Sequence, residues 1–179
     1  DPLSEILPDL VNGEKAPPPT RYFSEANGTG FVWDREGHIV TCDHVIDDNY
    51  EIEVIFADGV STTAEVIGRD YFADLAVLQL DLAKLPADYC LTPMVLNTEI
   101  STQLGDPVFA IGNTLDFNNT FTMGNISGLD RDILVESPIG GGNVYAFPHL
   151  LQTTALVNRG NSGGVLVNQQ GELLGMPFM

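Results

Sequence analysis

The chain has 179 residues, of which 25 are acidic, 7 are lysine or arginine and 44% are hydrophobic. The formal net charge of −18 argues against nucleic acid as a partner, because phosphate backbones are bound through clustered basic side chains. No apolar run reaches the roughly 18 residues that would cross a bilayer, so we expect no membrane span. The two cysteines, Cys42 and Cys90, form no metal-binding sequence pair, and we expect neither a metal nor a cofactor.

Residues 1–26 contain three consecutive prolines and show weak periodicity, which predicts an N-terminal arm or linker. Short apolar runs between turn residues follow, and several alternate apolar and polar side chains as half-buried antiparallel strands do. The predicted strands of this half are Gly30–Trp33, His38–Val45, Glu51–Phe56, Thr62–Ile67 and Asp74–Leu80.

The pattern loosens between Asp81 and Asp106, which indicates a connector with a boundary near residue 95. Further short strands are predicted at Pro107–Ile111, Thr120–Leu129, Leu150–Val157, Gly164–Val167 and Glu172–Pro177. No long helical periodicity occurs after Gly28, so the fold class is all-β. Residues 30–40 and 164–174 share one strand–turn–strand pattern, which favours two related barrels, residues 27–95 and residues 96–179.

One serine lies in a setting that suits nucleophilic catalysis. Acyl transfer by serine needs a hydroxyl, an imidazole base, a carboxylate that orients the imidazole, and backbone N–H groups aimed at the oxyanion. Ser162 lies within Gly160-Asn-Ser-Gly-Gly164, where glycines permit a tight turn in which the N–H groups of Gly160 and Ser162 converge. The alternative is a flexible loop without chemistry.

A histidine and an aspartate complete the set. His44 ends an apolar strand, whereas His38 lies in a hairpin turn and His149 at a loop end. Asp74 opens an apolar run, although an aspartate there could also simply cap the strand. The order His44, Asp74, Ser162 is that of chymotrypsin, and it places the serine in the second half, so we expect the site in a cleft between two barrels.

Five motifs carry a family resemblance. They are Gly28–Trp33, His38–Val45, Asp74–Leu78, Ala110–Asn113 and Asn158–Gly164. Through them the sequence resembles the chymotrypsin-like protease domain of the HtrA/Deg serine proteases over roughly residues 28–179, with no PDZ domain. The resemblance implies two six-stranded antiparallel β-barrels. Because only a short segment follows Ser162, the second barrel is expected to be incomplete at its C-terminus.

The resemblance also implies roles for individual residues. His44 would be the general base, Asp74 its orienting partner and Ser162 the nucleophile. The backbone amides of Gly160 and Ser162 would form the oxyanion hole, and Val157 would shape a pocket for small or medium aliphatic side chains. Asp43 adds a negative charge beside the histidine, where the family usually has a neutral or histidine side chain, and is expected to raise the imidazole pKa.

The implied function is an endopeptidase that degrades unfolded or damaged polypeptides through an acyl-enzyme. The family resemblance further implies a homotrimer, located outside the cytoplasm or in an organelle, with the chloroplast thylakoid lumen or the periplasm favoured. The alternative is a non-cleaving subunit of the same fold that binds clients or regulates active homologues.

Overall fold

A computed structural model describes residues 28–46, 51–114, 117–136, 144–158 and 160–178. The strands in these ranges are β1 Gly30–Val32, β2 His38–Thr41, β3 Ile52–Ile55, β4 Ser61–Asp70, β5 Leu75–Leu80, β6 Pro107–Thr114, β7 Phe117–Glu136, β8 Val144–Thr153, β9 Val165–Val167 and β10 Leu173–Gly175. Two short 3₁₀ helices, Asp43–Val45 and Leu82–Lys84, accompany them. Neither has the length and apolar character of a membrane-crossing helix. The all-β prediction is confirmed.

The first sheet has the order β1-β2-β5-β4-β3, with every neighbouring pair antiparallel. Alternation along β5 places Ala76, Leu78 and Leu80 in the interior, as the period of two requires. The alternating residues Ile52 and Val54 of β3 pack against the same core, as the sequence pattern indicates. One face of this sheet therefore forms a compact apolar core.

The second sheet has the order β10-β9-β6-β7-β8 and is also antiparallel throughout. Val108, Ala110, Ile126, Ala155 and Leu166 form its buried core. Each sheet has five strands within the described ranges, one fewer than a six-stranded barrel. Together the sheets form a half-barrel and a nearly closed barrel, which confirms the trypsin-like architecture.

The β7–β8 hairpin is longer than the sequence pattern predicts. Its strands pair from Ile126 with Thr153 to Glu136 with Val144, so β7 extends well beyond Leu129. Most described side chains of residues 129–135 are exposed. The two strands satisfy the hydrogen-bonding capacity of each other's backbone, but neither face of this part of the hairpin is buried. This part of β7 therefore lacks the alternation of apolar and polar side chains from which strands are recognised in a sequence.

A third apolar cluster joins the two sheets. Phe31 of β1 packs with Val165 and Val167 of β9. The connecting segment also bonds to both sheets, because Met94 N–H donates to the Val32 carbonyl at 2.9 Å and the Val95 carbonyl accepts from Leu173 N–H at 3.0 Å. The predicted boundary near residue 95 stays a prediction, and the predicted arm at residues 1–26 lies outside the described residues.

Candidate active site

His44 and Asp74 meet at the ends of two neighbouring strands. His44 follows β2 and Asp74 precedes β5, and these strands pair antiparallel. The His44 Nδ1 atom lies 2.7 Å from Asp74 Oδ2, and His44 N–H donates to Asp74 Oδ1 at 2.9 Å. Asp74 adopts a left-handed backbone conformation, with φ of 53°. One carboxylate thus holds both the ring and the backbone of the histidine.

This contact shifts the pKa values of both partners. The hydrogen bond that His44 donates to Asp74 raises the pKa of His44; burial opposes the shift, and the charges of Asp74 and Asp43 add to it. Burial alone would raise the pKa of Asp74, but the hydrogen bonds from His44 outweigh burial and hold that pKa below its ordinary value. The carboxylate is therefore ionised at neutral pH, and it accepts the proton of Nδ1 while Nε2 is left to act as a base.

Asp43 is almost fully buried, at 3% exposure. Its carboxylate forms an ion pair with the Arg69 guanidinium of β4, and Arg69 Nη2 also lies 3.4 Å from the Asp43 carbonyl oxygen. A buried carboxylate needs such a partner, because an unpaired buried charge is strongly destabilising. The charge beside His44 can be read from the sequence, whereas the arginine that offsets it lies on a separate strand and could not be predicted.

Thr29 ties the serine loop to the first sheet. Its N–H donates to the Ser162 carbonyl at 3.0 Å, and its hydroxyl donates to the Gly160 carbonyl at 2.6 Å. Its own carbonyl accepts from the Thr41 hydroxyl at 2.6 Å. Thr41 ends β2, three residues before His44. This role of Thr29 was not predicted, although a polar residue between two glycines in the first motif is a sequence signal for it.

Gly163 allows the closest approach between the loop and β2. Its φ is 82°, and a Cβ atom there would lie 2.0 Å from the Thr29 carbonyl oxygen and 3.0 Å from the Cys42 backbone nitrogen. Only glycine fits both the conformation and the space. The segments that carry His44, Asp74 and Ser162 therefore meet at one junction between the sheets, where Ser162 is 5% exposed.

Loop hydrogen bonds fix the direction of the Ser162 amide. The Asn161 carbonyl accepts from Gly164 N–H at 2.9 Å. A trans peptide points its N–H opposite to its C=O, so Ser162 N–H is directed away from Gly164. Gly160 has a φ of 98°, which glycine alone adopts readily. The assignment of these two amides to an oxyanion hole stays a prediction.

Val157 is half-buried beside a more exposed neighbour, Leu156. The Leu156 carbonyl accepts from the Thr122 hydroxyl of β7 at 2.8 Å, so this segment is fixed to the second sheet. A cavity lined by Ser101, Asp106 and other residues contains none of the predicted site residues. The His44 side chain is 49% exposed, so the His44–Asp74 pair is open to solvent.

Cys42 lies directly behind the histidine–aspartate pair. It is completely buried, and its Sγ lies 3.6 Å from the Pro177 carbonyl oxygen. The pKa of the Cys42 thiol is raised to about 12, mainly by burial and to a smaller extent by the charge of the nearby Asp74 carboxylate. The thiol is therefore protonated at neutral pH and is not a nucleophile by itself.

The other two histidines also contact carboxylates. His38 Nδ1 lies 2.5 Å from Asp34 Oδ2 within the β1–β2 turn, and His149 Nδ1 bonds Asp130 across the β7–β8 hairpin. His38 lies at the opposite end of β2 from His44. His149 is on the exposed hairpin, with a side chain that is 80% exposed.

Comparisons with known proteins agree with this architecture. The family described as "Trypsin-like peptidase domain" matches residues 28–176. "Protease Do-like 1, chloroplastic" of Arabidopsis thaliana is 40% identical over 152 residues, which are 85% of this chain and 33% of that protein. "Serine endoprotease DegS" of Salmonella typhimurium is 41% identical over 149 residues, 83% of this chain and 38% of that protein.

"Periplasmic serine endoprotease DegP" of Salmonella typhimurium is 38% identical over 152 residues, 84% of this chain and 29% of that protein. The chain thus spans about a third of the length of these relatives. The resemblance to HtrA/Deg proteases is confirmed by the same comparisons. The chain therefore belongs to the family of trypsin-like peptidase domains and, within it, to the HtrA/Deg group.

Proposed function

We propose that the chain is the peptidase domain of an HtrA/Deg-type serine endopeptidase that cleaves unfolded or damaged polypeptides through an acyl-enzyme. The observation that carries this proposal is the His44–Asp74 hydrogen bond of 2.7 Å, located where Thr29 links the Ser162 loop to the end of β2. Neither sheet alone supplies all three side chains, so the junction between the sheets is the natural position for the chemistry.

The proposed reaction uses each group once. Asp74 holds the proton on Nδ1 of His44, and Nε2 then accepts the proton of the Ser162 hydroxyl as its oxygen attacks the peptide carbonyl carbon. The amides of Gly160 and Ser162 stabilise the negative charge on the carbonyl oxygen. The imidazolium returns its proton to the leaving amine, and water then releases the acyl group by the same route. No cofactor takes part in these steps.

Exposed apolar side chains near Val157 support the proposal that the substrate is an unfolded polypeptide. Phe121 and Met123 alternate on β7 and are 60% and 70% exposed, and Leu156 is 67% exposed. Phe121 stacks on Phe109 with ring centroids 5.1 Å apart. Such surface suits the apolar side chains of an unfolded chain, and pairing of its backbone with a strand edge would make sequence preference broad.

The cellular setting and the assembly extend the proposal. The relatives are named as chloroplastic or periplasmic, which supports a location in an organelle or outside the cytoplasm, the thylakoid lumen or the periplasm being the specific proposals. The family resemblance alone supports a homotrimer. Analytical ultracentrifugation would measure the oligomeric state, and a protein that stays monomeric at all concentrations would contradict the homotrimer.

The test is covalent labelling with an organophosphonate followed by mass mapping of the modified residue. We expect one label on Ser162 and none in His44→Ala, because the serine needs its base. His149→Ala is the matched control: it removes an imidazole that also contacts an aspartate, and it should label like the wild type.

Cleavage of casein gives the second measurement. Ser162→Ala should lose several orders of magnitude in rate and keep only the roughly 10³ to 10⁴-fold advantage over water that binding and the oxyanion hole supply. Casein cleavage that is equally fast in Ser162→Ala would refute the protease function. Binding of unfolded casein without labelling would instead identify the non-cleaving subunit of the same fold.

A further inference from the structure

The buried thiol of Cys42 gives the histidine–aspartate pair a third metal-ligating group. Sγ of Cys42, a ring nitrogen of His44 and a carboxylate oxygen of Asp74 all lie within 4.8 Å of one another. Among the residues that the structure describes, no other three histidine, cysteine or acidic side chains cluster in this way. The proposed protease mechanism gives Cys42 no role.

These three groups are the ligand types that zinc selects. Open zinc sites have three protein ligands and one water, with metal–ligand distances of about 2.0–2.3 Å, so the ligand atoms lie about 3.3–3.6 Å apart. The widest separation in the group, up to 4.8 Å, must shorten by about 1 Å, and the 2.7 Å between His44 Nδ1 and Asp74 Oδ2 must lengthen by about 0.7 Å, both within reach of side-chain rotation. The His44 side chain is 49% exposed, so an ion can reach the group from solvent.

We propose that Cys42, His44 and Asp74 form an inhibitory Zn²⁺ site. The ion binds four groups: the Cys42 thiolate, Nδ1 of His44, one oxygen of Asp74 and a water molecule. The Cys42 thiol loses its proton to solvent, and the imidazole exchanges its Nδ1 proton with solvent for one on Nε2. The binding part of this proposal stands on the ligand group alone, and the inhibitory part rests on the proposed protease function.

Inhibition follows from the ring nitrogen that the ion occupies. Nδ1 is the nitrogen that faces Asp74, at 2.7 Å from Oδ2. When a metal is bound to Nδ1, the neutral imidazole carries its proton on Nε2. Nε2 then has no lone pair with which to accept the Ser162 proton. The ion also takes the carboxylate oxygen that orients the ring, so one binding event removes both functions.

Metal binding is tested with Co²⁺, which occupies zinc sites and absorbs in the near ultraviolet when it binds a thiolate. We expect this band in the wild type and in Cys90→Ser, the matched control for the exposed second cysteine. Cys42→Ser and Cys42→Ala should both lose it, with folding checked by circular dichroism, and Zn²⁺ should displace Co²⁺ from the wild type. A band that persists without Cys42, or a wild type that shows none, overturns the site.

Inhibition is tested by titrating Zn²⁺ into the casein assay, with each variant compared with its own metal-free rate. Zn²⁺ should inhibit the wild type, and a chelator should restore its activity. Cys42→Ser should need a Zn²⁺ concentration at least about tenfold higher for the same degree of inhibition. His38→Gln and His149→Gln, which alter the other two histidine–aspartate pairs, should respond like the wild type. If Zn²⁺ inhibits Cys42→Ser as strongly as the wild type, the inhibitory role is overturned. If the protein shows the cobalt band but cleaves no casein, the metal site is supported and the protease function is refuted.

Discussion

Two histidine–aspartate pairs in this molecule share their chemistry but not their surroundings. At the sheet junction His44 bonds Asp74, and on the β7–β8 hairpin His149 bonds Asp130. In each pair Nδ1 contacts a carboxylate, the hydrogen bond raises the histidine pKa, and the aspartate has a φ of 53°. A hydrogen-bonded imidazole is therefore not enough to identify a catalytic site.

The difference lies in what surrounds each carboxylate. Asp74 is 14% exposed and binds both the ring and the backbone N–H of His44. Asp130 is 74% exposed, and a second carboxylate, Asp132, takes the backbone N–H of His149. Water competes freely for the hairpin pair, whereas the junction pair is held by three packed segments. Preorganisation distinguishes the two pairs, since a catalytic base must be oriented before the reaction starts.

The largest predicted effect is a loss of catalytic rate that occurs when Asp74 is replaced but not when Asp130 is replaced. Asp74→Asn should lower kcat/KM for peptide cleavage by about 10⁴, because an amide no longer fixes the tautomer in which Nε2 is the base. Asp130→Asn removes the same kind of contact from an exposed pair and should leave the rate unchanged. Steady-state kinetics with a fluorogenic peptide checks both. Comparable losses in the two variants would show that the junction confers no advantage.

The next largest predicted effect is a loss of stability, which should be large when Gly163 is replaced and small when Gly128 is replaced. Gly163→Ala should lower the free energy of unfolding by about 2–5 kcal/mol, since overpacking costs about 1–3 and a left-handed non-glycine residue about 1–2 kcal/mol. The new Cβ would meet the backbone oxygen of Thr29, which cannot yield. Urea unfolding measures the change, and we expect lower peptidase activity as well.

Gly128→Ala is the control on the hairpin. Its two nearest obstacles are polar atoms of the Arg131 and Gln152 side chains, which can rotate away, and the Gln152 Cβ at 3.0 Å requires only a small shift of the strand, so the loss of stability should stay below about 1 kcal/mol. If Gly163→Ala is as mild as Gly128→Ala, the close approach of the serine loop to β2 is wrong, and with it the assembly of the proposed site.

The comparison also shows what the sequence could reveal. Alternation located the core strands, and the flanking motifs selected His44 over His149, because the former ends an apolar strand. Contacts between distant segments could not be predicted: Arg69 lies 26 residues from Asp43, and Thr29 lies 133 residues from Ser162. Such partners become neighbours only when both sheets have formed. Cys42 was judged only against Cys90, so its position behind the histidine was missed.

The smallest predicted effect is a shift of the pH profile. The base must be neutral to accept a proton, so kcat/KM should rise with pH through the His44 pKa, which lies above its ordinary value near 6.5. The charge of Asp43 contributes to that elevation, although it is the last of the causes and Arg69 offsets it. Asp43→Asn should therefore move the rising limb to lower pH.

The hairpin again supplies the control for this shift. The charge of Asp132 raises the pKa of His149 as that of Asp43 raises the pKa of His44, so Asp132→Asn changes a comparable electrostatic contact. If His44 is the base, Asp132→Asn leaves the rising limb of the profile in place. A limb that moves with Asp132 and not with Asp43 would assign the titrating base to the exposed pair. A limb that moves with neither would remove histidine from the rate-limiting proton transfer.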